Sequence, residues 1–214
     1  MTTTGSDMVT YDNRFKFTLG RLHLAFELGG SRIAYAYIRK NGCSSFKRAL
    51  GFDYATNVRT IARAHPYRPW RRYDATIFVW RDPEERLLSL FRNKIIQRDH
   101  ADGILASYRR VMGAEPATFE DFVRFACRDA DPHCWPQCDH LMPIRYTHAI
   151  PLSRLYQSMC GIVGEEAAEP FVQPYNASVP YLTEVSDEAR RLIRRHYAKD
   201  YAMIARLKRP ATSH

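Results

Sequence analysis

The chain has 214 residues, of which 45% are hydrophobic and 26% are charged, as is usual for a globular protein with one sizeable core. No apolar run approaches the ~20 residues that cross a bilayer, and the N-terminus lacks the basic and apolar regions of a signal peptide. We therefore expect no membrane span and predict a single domain over residues 1–214, with residues 1–7 and 210–214 disordered.

The formal net charge of +9 comes almost entirely from arginine, since only six of the 32 basic residues are lysine. Arginine binds phosphate, sulfate and carboxylate in a bidentate manner, so the charge is compatible with an anionic cofactor, an acidic acceptor or nucleic acid. A general preference for arginine accounts for most of it. Five cysteines without regular spacing argue against a disulfide framework and indicate a reducing compartment, for which we expect the cytoplasm.

The first strong pattern along the chain is a strand followed by a turn and a helix. An apolar run over residues 33–38 predicts a buried strand, residues 39–45 form a turn that contains Gly42, and a helix is predicted from Phe46. The free N–H groups and the dipole of a first helical turn favour an anion, and Lys40 adds a full positive charge. The pattern predicts a site for a phosphate or sulfate ester.

A second unit of the same kind follows. Residues 74–80 predict another buried strand, Asp82 is the predicted N-cap of a helix with Pro83 at its first position, and the helix extends to about residue 98. Two strand-turn-helix units in succession indicate an α/β fold with a central parallel sheet flanked by helices. Ligands of such sheets bind beyond the carboxyl ends of the strands, where both turns lie.

The rest of the chain carries weaker signals, and its C-terminal half is predicted to be largely helical. The predicted elements are irregular strand or turn structure over 14–30, a weak helix over 53–63, a loop over 65–70, helices over 102–112 and 118–128, a loop over 129–143, a strand over 144–150, a helix over 152–163, a loop over 164–181, and a last helix capped by Ser186 and ending near 207.

Two polar side chains of the second strand-turn-helix segment suggest a second anion site. Arg81 stands at a strand end and Ser89 lies eight residues on, two turns into the helix, so their side chains converge on one anion if the helix packs beside the strand. Arg86 has two alternative roles, which are to support that site or to pair with Glu85 or Asp82.

These two segments resemble motifs of the sulfotransferases that use 3′-phosphoadenosine 5′-phosphosulfate (PAPS). Residues 40–47 resemble the 5′-phosphosulfate loop, and residues 81–91 resemble the 3′-phosphate motif. The chain looks most like carbohydrate sulfotransferases of the family-2 type, with further likenesses at residues 92–94, 133–137, 176–178 and 181. Arg39 stands where the family usually has proline, and Ser44 where it has threonine. The chain is shorter than the Golgi enzymes and lacks their anchor, which suggests a soluble bacterial form.

The resemblance implies a P-loop-like fold and a metal-free in-line transfer of the sulfuryl group from PAPS to an acceptor hydroxyl, with release of 3′-phosphoadenosine 5′-phosphate (PAP). In this interpretation Lys40 stabilises the leaving oxygen, while Arg81 and Ser89 hold the 3′-phosphate. The implied cofactor-binding residues are Arg39, Lys40, Asn41, Gly42, Cys43, Ser44, Ser45, Phe46, Arg81 and Ser89.

A general base must take the proton of the acceptor hydroxyl, and histidine suits that role near neutral pH. We choose His65, which lies between the two cofactor segments, where members of the family place a catalytic histidine or glutamate. The alternative is that His65 only caps the turn at Pro66. His100 and His133 are the next candidates, and the remaining candidates weighed are expected to be structural or at the surface: His23, His140, His148 and His196.

Other classes of function are weighed against this one. The group His133, Cys134, Cys138 and His140 lacks the spacing of a familiar zinc site, and we expect two free cysteines in a buried loop. A P-loop kinase would need two glycines before its lysine, whereas this turn has a single glycine, Gly42, after Lys40. A nucleic-acid-binding module is supported by the net charge alone. We expect no nucleic-acid partner. A sugar hydroxyl, a glycan or a glycosylated metabolite is the expected acceptor, and the oligomeric state is not encoded in any pattern.

Overall fold

The computed structural model describes residues 9–16, 20–172 and 184–209. The predicted disordered termini and the likenesses at residues 176–178 and 181 lie outside these ranges. The described residues form two compact units. Unit 1 comprises residues 9–16, 20–80 and 139–172, and unit 2 comprises residues 81–138 and 184–209.

Unit 1 is built on a four-stranded sheet in the order β2-β3-β4-β6. Its strands are β2 (His23–Leu28), β3 (Ser31–Ala36), β4 (Ala75–Trp80) and β6 (His148–Pro151). β3, β4 and β6 are mutually parallel, which confirms the predicted α/β architecture with a parallel sheet, while β2 adds to β3 in the antiparallel direction.

The irregular strand or turn structure predicted over residues 14–30 includes a regular strand, β2. Its apolar positions alternate with period two, as they do in an edge strand that has one buried face. Gly29 and Gly30 both have positive φ, 56° and 76°, which lets the chain reverse tightly into β3.

The two faces of the sheet are covered by different elements of unit 1. One face packs against helices α1 (Cys43–Ala49), α2 (Val58–Ala64) and α6 (Leu155–Val163). On the other face, Phe78 makes edge-to-face contacts with Tyr11 and Tyr146, which belong to the short antiparallel ribbon of β1 (Tyr11–Asp12) and β5 (Arg145–Tyr146). Burial on both faces explains why β3 and β4 are continuous apolar runs.

Two predictions for unit 1 needed correction. The strand over residues 144–150 is interrupted at Thr147, whose hydroxyl accepts the N–H of Thr76 at 2.9 Å and whose own N–H donates to the carbonyl of Thr76 at 2.9 Å. The loop over residues 164–181 contains helix α7 (Glu165–Ala168) and a 3-10 turn (Glu169–Phe171). A 3-10 turn (Leu152–Arg154) also precedes α6, within the predicted helix over 152–163.

Unit 2 is helical around one hydrophobic core. Its helices are α3 (Pro83–Phe91), which continues into a π-helical turn (Arg92–Ile96), then α4 (Asp102–Met112), α5 (Phe119–Ala126), α8 (Asp187–His196) and α9 (Ala198–Leu207). A 3-10 turn begins at Gln137. The core combines apolar side chains of α3, α4, α5 and α8.

Capping residues set several helix boundaries as predicted. Asp82 accepts the N–H groups of Glu84 and Glu85, and Ser186 accepts the N–H of Ala189. The predicted last helix is instead two helices. The break lies at Tyr197, which has a φ of −94° and a ψ of 24° and is fully buried, with its hydroxyl donating to the carbonyl of Cys134 at 2.5 Å.

Within the described ranges, no helix has the length and apolar character that crossing a bilayer requires.

Candidate functional site

The turn after β3 is the central feature of the candidate site in unit 1. Lys40 and Gly42 both adopt left-handed conformations, with φ values of 68° and 74°. Helix α1 begins at Cys43, three residues before the predicted start at Phe46, because Gly42 in this conformation serves as the N-cap. A lysine with positive φ costs free energy that a glycine would not, and such strain is concentrated at functional sites.

Buried contacts fix this turn to the sheet. The side chain of Asn41 is fully buried and donates through Nδ2 to the carbonyl of Val79 in β4 at 2.8 Å. Phe46, also fully buried, stacks on Tyr35 of β3 with the ring centroids 3.8 Å apart. Because the turn is tied to two neighbouring strands, the backbone between them is held in one conformation.

The chemistry of the turn suits an anion. Among the described residues, no side chain caps the start of α1, so the N–H groups of its first turn are not satisfied by a side-chain cap. Residues 33–52 contain no Asp or Glu. Lys40 and Ser44 are half-buried, Ser45 is buried, and the guanidinium of Arg39 lies 6.0 Å from the centroid of the Tyr37 ring. The donor set fits a phosphate or sulfate ester.

We expect Gly42→Ala to destabilise the protein more than Gly51→Ala. Both glycines have a φ of 74°, so each alanine carries a left-handed backbone cost of about 1–2 kcal/mol. A Cβ at Gly42 would also lie 2.8 Å from Leu155 Cδ2 and 3.0 Å from Leu152 Cδ1, whereas nothing lies within 4 Å at Gly51. Urea unfolding of both variants separates the two effects. Equal losses of stability would show that the leucines move aside without cost.

His65, the predicted general base, also belongs to unit 1. It is the C-cap of α2, and its N–H donates to the carbonyl of Ile61 at 2.8 Å. Its own carbonyl accepts the N–H of Ala25 at 3.0 Å, which places the residue beside the edge strand β2. The half-buried ring packs edge-to-face on Phe52, with the ring centroids 5.8 Å apart. The catalytic role of His65 stays a prediction.

A second histidine of unit 1, His23, is buried in a defined hydrogen-bond chain. Its Nδ1 lies 3.1 Å from the carbonyl of Arg21, which can only accept, so Nδ1 carries the proton. Its Nε2 therefore accepts the hydroxyl of Tyr146 at 2.7 Å, and that hydroxyl accepts the N–H of Met142 at 2.9 Å. Burial lowers the pKa of His23 to about 4.

Acidification should therefore destabilise the fold through His23. The unfolded chain takes up a proton below about pH 6.5 and the folded chain does not until about pH 4, so stability falls between these values. We expect a loss of about 2 kcal/mol between pH 7 and pH 5 from this residue. Burial also lowers the pKa of His148, which adds in the same direction. Urea unfolding at both pH values should show that His23→Gln loses less stability on acidification than the wild type does. An equal loss in the two proteins would show that other residues cause the effect.

Unit 2 contains the two residues predicted to hold a second anion. Arg81 lies between the end of β4 and the N-cap Asp82, and Ser89 is half-buried in α3. The side chain of Arg81 is 25% exposed, and its Nε lies 3.4 Å from a carboxylate oxygen of Glu85. The structure thus places Lys40 to Phe46 in unit 1, and Arg81 with Ser89 in unit 2.

Arg86 makes structural contacts that the sequence analysis did not predict. Its guanidinium is fully buried and donates to the carbonyls of Trp135 at 2.9 Å and His133 at 3.0 Å. The guanidinium therefore holds in place the loop that precedes the 3-10 turn at Gln137. Its position one turn into an amphipathic helix gave no sign of this burial.

The structure also reveals residues that the sequence analysis did not single out for a role. Gln137 pairs through its side-chain amide with the backbone of Arg81, and Asp200 accepts hydrogen bonds from Gln137 and Cys138. Gln137 was noticed only within a segment of family likeness. No role was predicted for Asp200, because an acidic residue in the first turn of a helix is common.

The other candidate bases are held by local contacts. His100 has a φ of 43° and lies 3.6 Å from a carboxylate oxygen of Asp99. His133 Nδ1 lies 2.6 Å from a carboxylate oxygen of Asp131.

Cys134 is fully buried, which raises the pKa of its thiol. Within the described part of the chain, no group of three or more His, Cys, Asp or Glu side chains is arranged to hold a metal ion.

Comparison with known proteins identifies the family. Residues 28–163, more than half of the chain, match the model of the sulfotransferase family. Carbohydrate sulfotransferase 14 of Mus musculus is 32% identical over 140 residues, and that of Homo sapiens is 31% identical over 140 residues. Each alignment covers 53% of this chain and 36% of the relative, so the chain spans about a third of the length of these curated relatives. No solved structure gave a significant match. The chain belongs to the sulfotransferase family.

Proposed function

We propose that this protein is a PAPS-dependent sulfotransferase that acts on the hydroxyl of a carbohydrate or of a glycosylated metabolite. Membership of the family supports sulfotransfer, and the names of the two relatives support a carbohydrate acceptor. The observation that carries the proposal is the strained turn at Lys40, which leads from a parallel strand into a helix without a side-chain cap. We further propose that the turn is P-loop-like and that residues 1–214 act as one sulfotransferase domain in the cytoplasm.

The turn of unit 1 would hold the 5′ end of PAPS. Backbone N–H groups from Gly42 to Phe46 and the hydroxyls of Ser44 and Ser45 are donors of the kind that an ester of phosphate or sulfate accepts. Lys40 would place its ammonium group by the oxygen that bridges phosphorus and sulfur. Neutralisation of the charge that develops on a leaving oxygen lowers the barrier to group transfer.

Arg81 and Ser89 of unit 2 would hold the 3′-phosphate. A guanidinium binds two oxygens of one phosphate, and a hydroxyl supplies a further donor. In this assignment, the 3′-phosphate distinguishes the donor nucleotide from ATP.

PAPS supplies the sulfuryl group and a bisphosphate leaving group, so the protein must position an acceptor hydroxyl and remove its proton. We assign the removal of this proton to His65. His65→Ala should lower kcat by about 100-fold or more, which is the usual contribution of a general base, and should leave PAP binding unchanged. His100→Ala is the matched control and should retain activity. Normal turnover by His65→Ala would transfer the role of base to another residue.

The direct test is thermal denaturation with PAP, adenosine 5′-monophosphate, ATP with Mg²⁺, or an oligonucleotide, followed by transfer of label from radiolabelled PAPS to a panel of sugar acceptors. PAP should raise Tm the most. Stabilisation by ATP with Mg²⁺ and not by PAP would favour a kinase. Stabilisation by the oligonucleotide alone would favour a nucleic-acid-binding protein.

A further inference from the structure

The side chain of Gln137 pairs with the backbone of Arg81 on both of its polar groups. The N–H of Arg81 donates to Gln137 Oε1 at 3.0 Å, and Gln137 Nε2 donates to the carbonyl of Arg81 at 2.8 Å. Gln137 is fully buried. The amide therefore gives Arg81 the two backbone hydrogen bonds that it would otherwise obtain from a neighbouring strand.

Asp200 holds Gln137 in place from a distant part of the chain. Its fully buried carboxylate accepts the backbone N–H of Gln137 at 2.8 Å, the side-chain Nε2 of Gln137 at 3.3 Å and the backbone N–H of Cys138 at 2.9 Å. It lies in the first turn of α9, where the helix dipole favours a negative charge. Asp200 also lies beyond the residues that match the family.

Arg81 depends on this support because of its position. It follows the last residue of β4 and precedes the N-cap of α3, so it belongs to no ladder or helix of its own. Its side chain is three-quarters buried and has a long contact to Glu85 at 3.4 Å. Because the side chain has little free space, a displacement of the backbone that Gln137 holds would also displace the guanidinium.

We propose that Gln137 and Asp200 are positioning residues that aim Arg81 at the 3′-phosphate of the donor nucleotide. The proposal rests on the function proposed above, in which Arg81 is the contact to that phosphate. It assigns the recognition of a 3′-phosphorylated nucleotide to three residues, of which only Arg81 touches the ligand.

The test compares two affinities in the same protein. Calorimetry gives the Kd of PAP and of adenosine 5′-monophosphate, which lacks the 3′-phosphate, for the wild type and for Gln137→Glu. The glutamate has the same shape and accepts the N–H of Arg81, but it cannot donate to the carbonyl of Arg81, and its charge repels Asp200. We expect the Kd of PAP to rise about tenfold or more, with little change in the Kd of the monophosphate.

Further variants separate positioning from a general loss of structure. Asp200→Asn and Gln137→Met should reduce the preference for PAP in the same way. Thr118→Ala removes the capping box that Thr118 forms with Asp121 at the start of α5, and it should leave the preference unchanged. Partial unfolding would raise the Kd of both nucleotides by the same factor, so it would leave the ratio of the two Kd values unchanged. A wild-type protein without preference for PAP would refute the proposed function itself. A wild-type preference that survives in all three network variants, or an equal loss for both nucleotides, would refute only the positioning role.

Discussion

Lys40→Met should reduce sulfuryl transfer by about 100- to 1000-fold, which is the usual cost of removing one donor to a developing oxyanion. The methionine keeps most of the length of the side chain and removes the charge. Because the turn is also held by the Asn41 contact to Val79, we expect the protein to remain folded and to bind PAP. Single-turnover transfer from radiolabelled PAPS measures the chemical step, and calorimetry measures binding.

Two further variants sharpen this test. Lys208→Met removes an exposed charge at the end of α9 and should retain full activity. Lys40→Gly should be as inactive as Lys40→Met, and it should be more stable than the wild type by about 0.5–1 kcal/mol, because glycine adopts a φ of 68° without strain. Transfer retained by Lys40→Met would remove Lys40 from the chemical step. A less stable Lys40→Gly would show that the lysine contacts outweigh the backbone cost.

Short-range chemistry made much of the fold predictable. The apolar runs over 33–38 and 74–80 gave the two central strands, and Asp82 with Pro83 fixed the start of α3 to the residue. These signals lie within a few residues of the features that they specify, so no knowledge of the tertiary structure is needed.

Features that depend on distant residues were not predictable. The predicted last helix is divided at Tyr197, whose hydroxyl donates to the carbonyl of Cys134, 63 positions away. The periodicity of the apolar residues did not indicate this break. In the candidate site, the proposed anion donors follow from the turn itself, whereas the pairing of Gln137 with Arg81 joins residues 56 positions apart.

Arg86→Met should destabilise unit 2 by about 3 kcal/mol or more. The substitution removes the hydrogen bonds that the fully buried guanidinium donates to the carbonyls of His133 and Trp135, and a hydrogen bond from a charged donor contributes about 1.5–3 kcal/mol. Methionine fills much of the volume, so the loss reports mainly on hydrogen bonding rather than on a cavity. Urea unfolding followed by circular dichroism measures the change.

Arg190→Met is the matched control, because it makes the same substitution on an exposed surface of the same unit. Arg190 lies 3.7 Å from a carboxylate oxygen of Glu84 and is 45% exposed, and such surface pairs contribute about 0–1 kcal/mol. A large loss in Arg86→Met with little change in Arg190→Met would establish Arg86 as a structural residue. If Arg86→Met were as stable as the wild type but had lost its preference for PAP over adenosine 5′-monophosphate, Arg86 would instead belong with Arg81 as a contact to the 3′-phosphate.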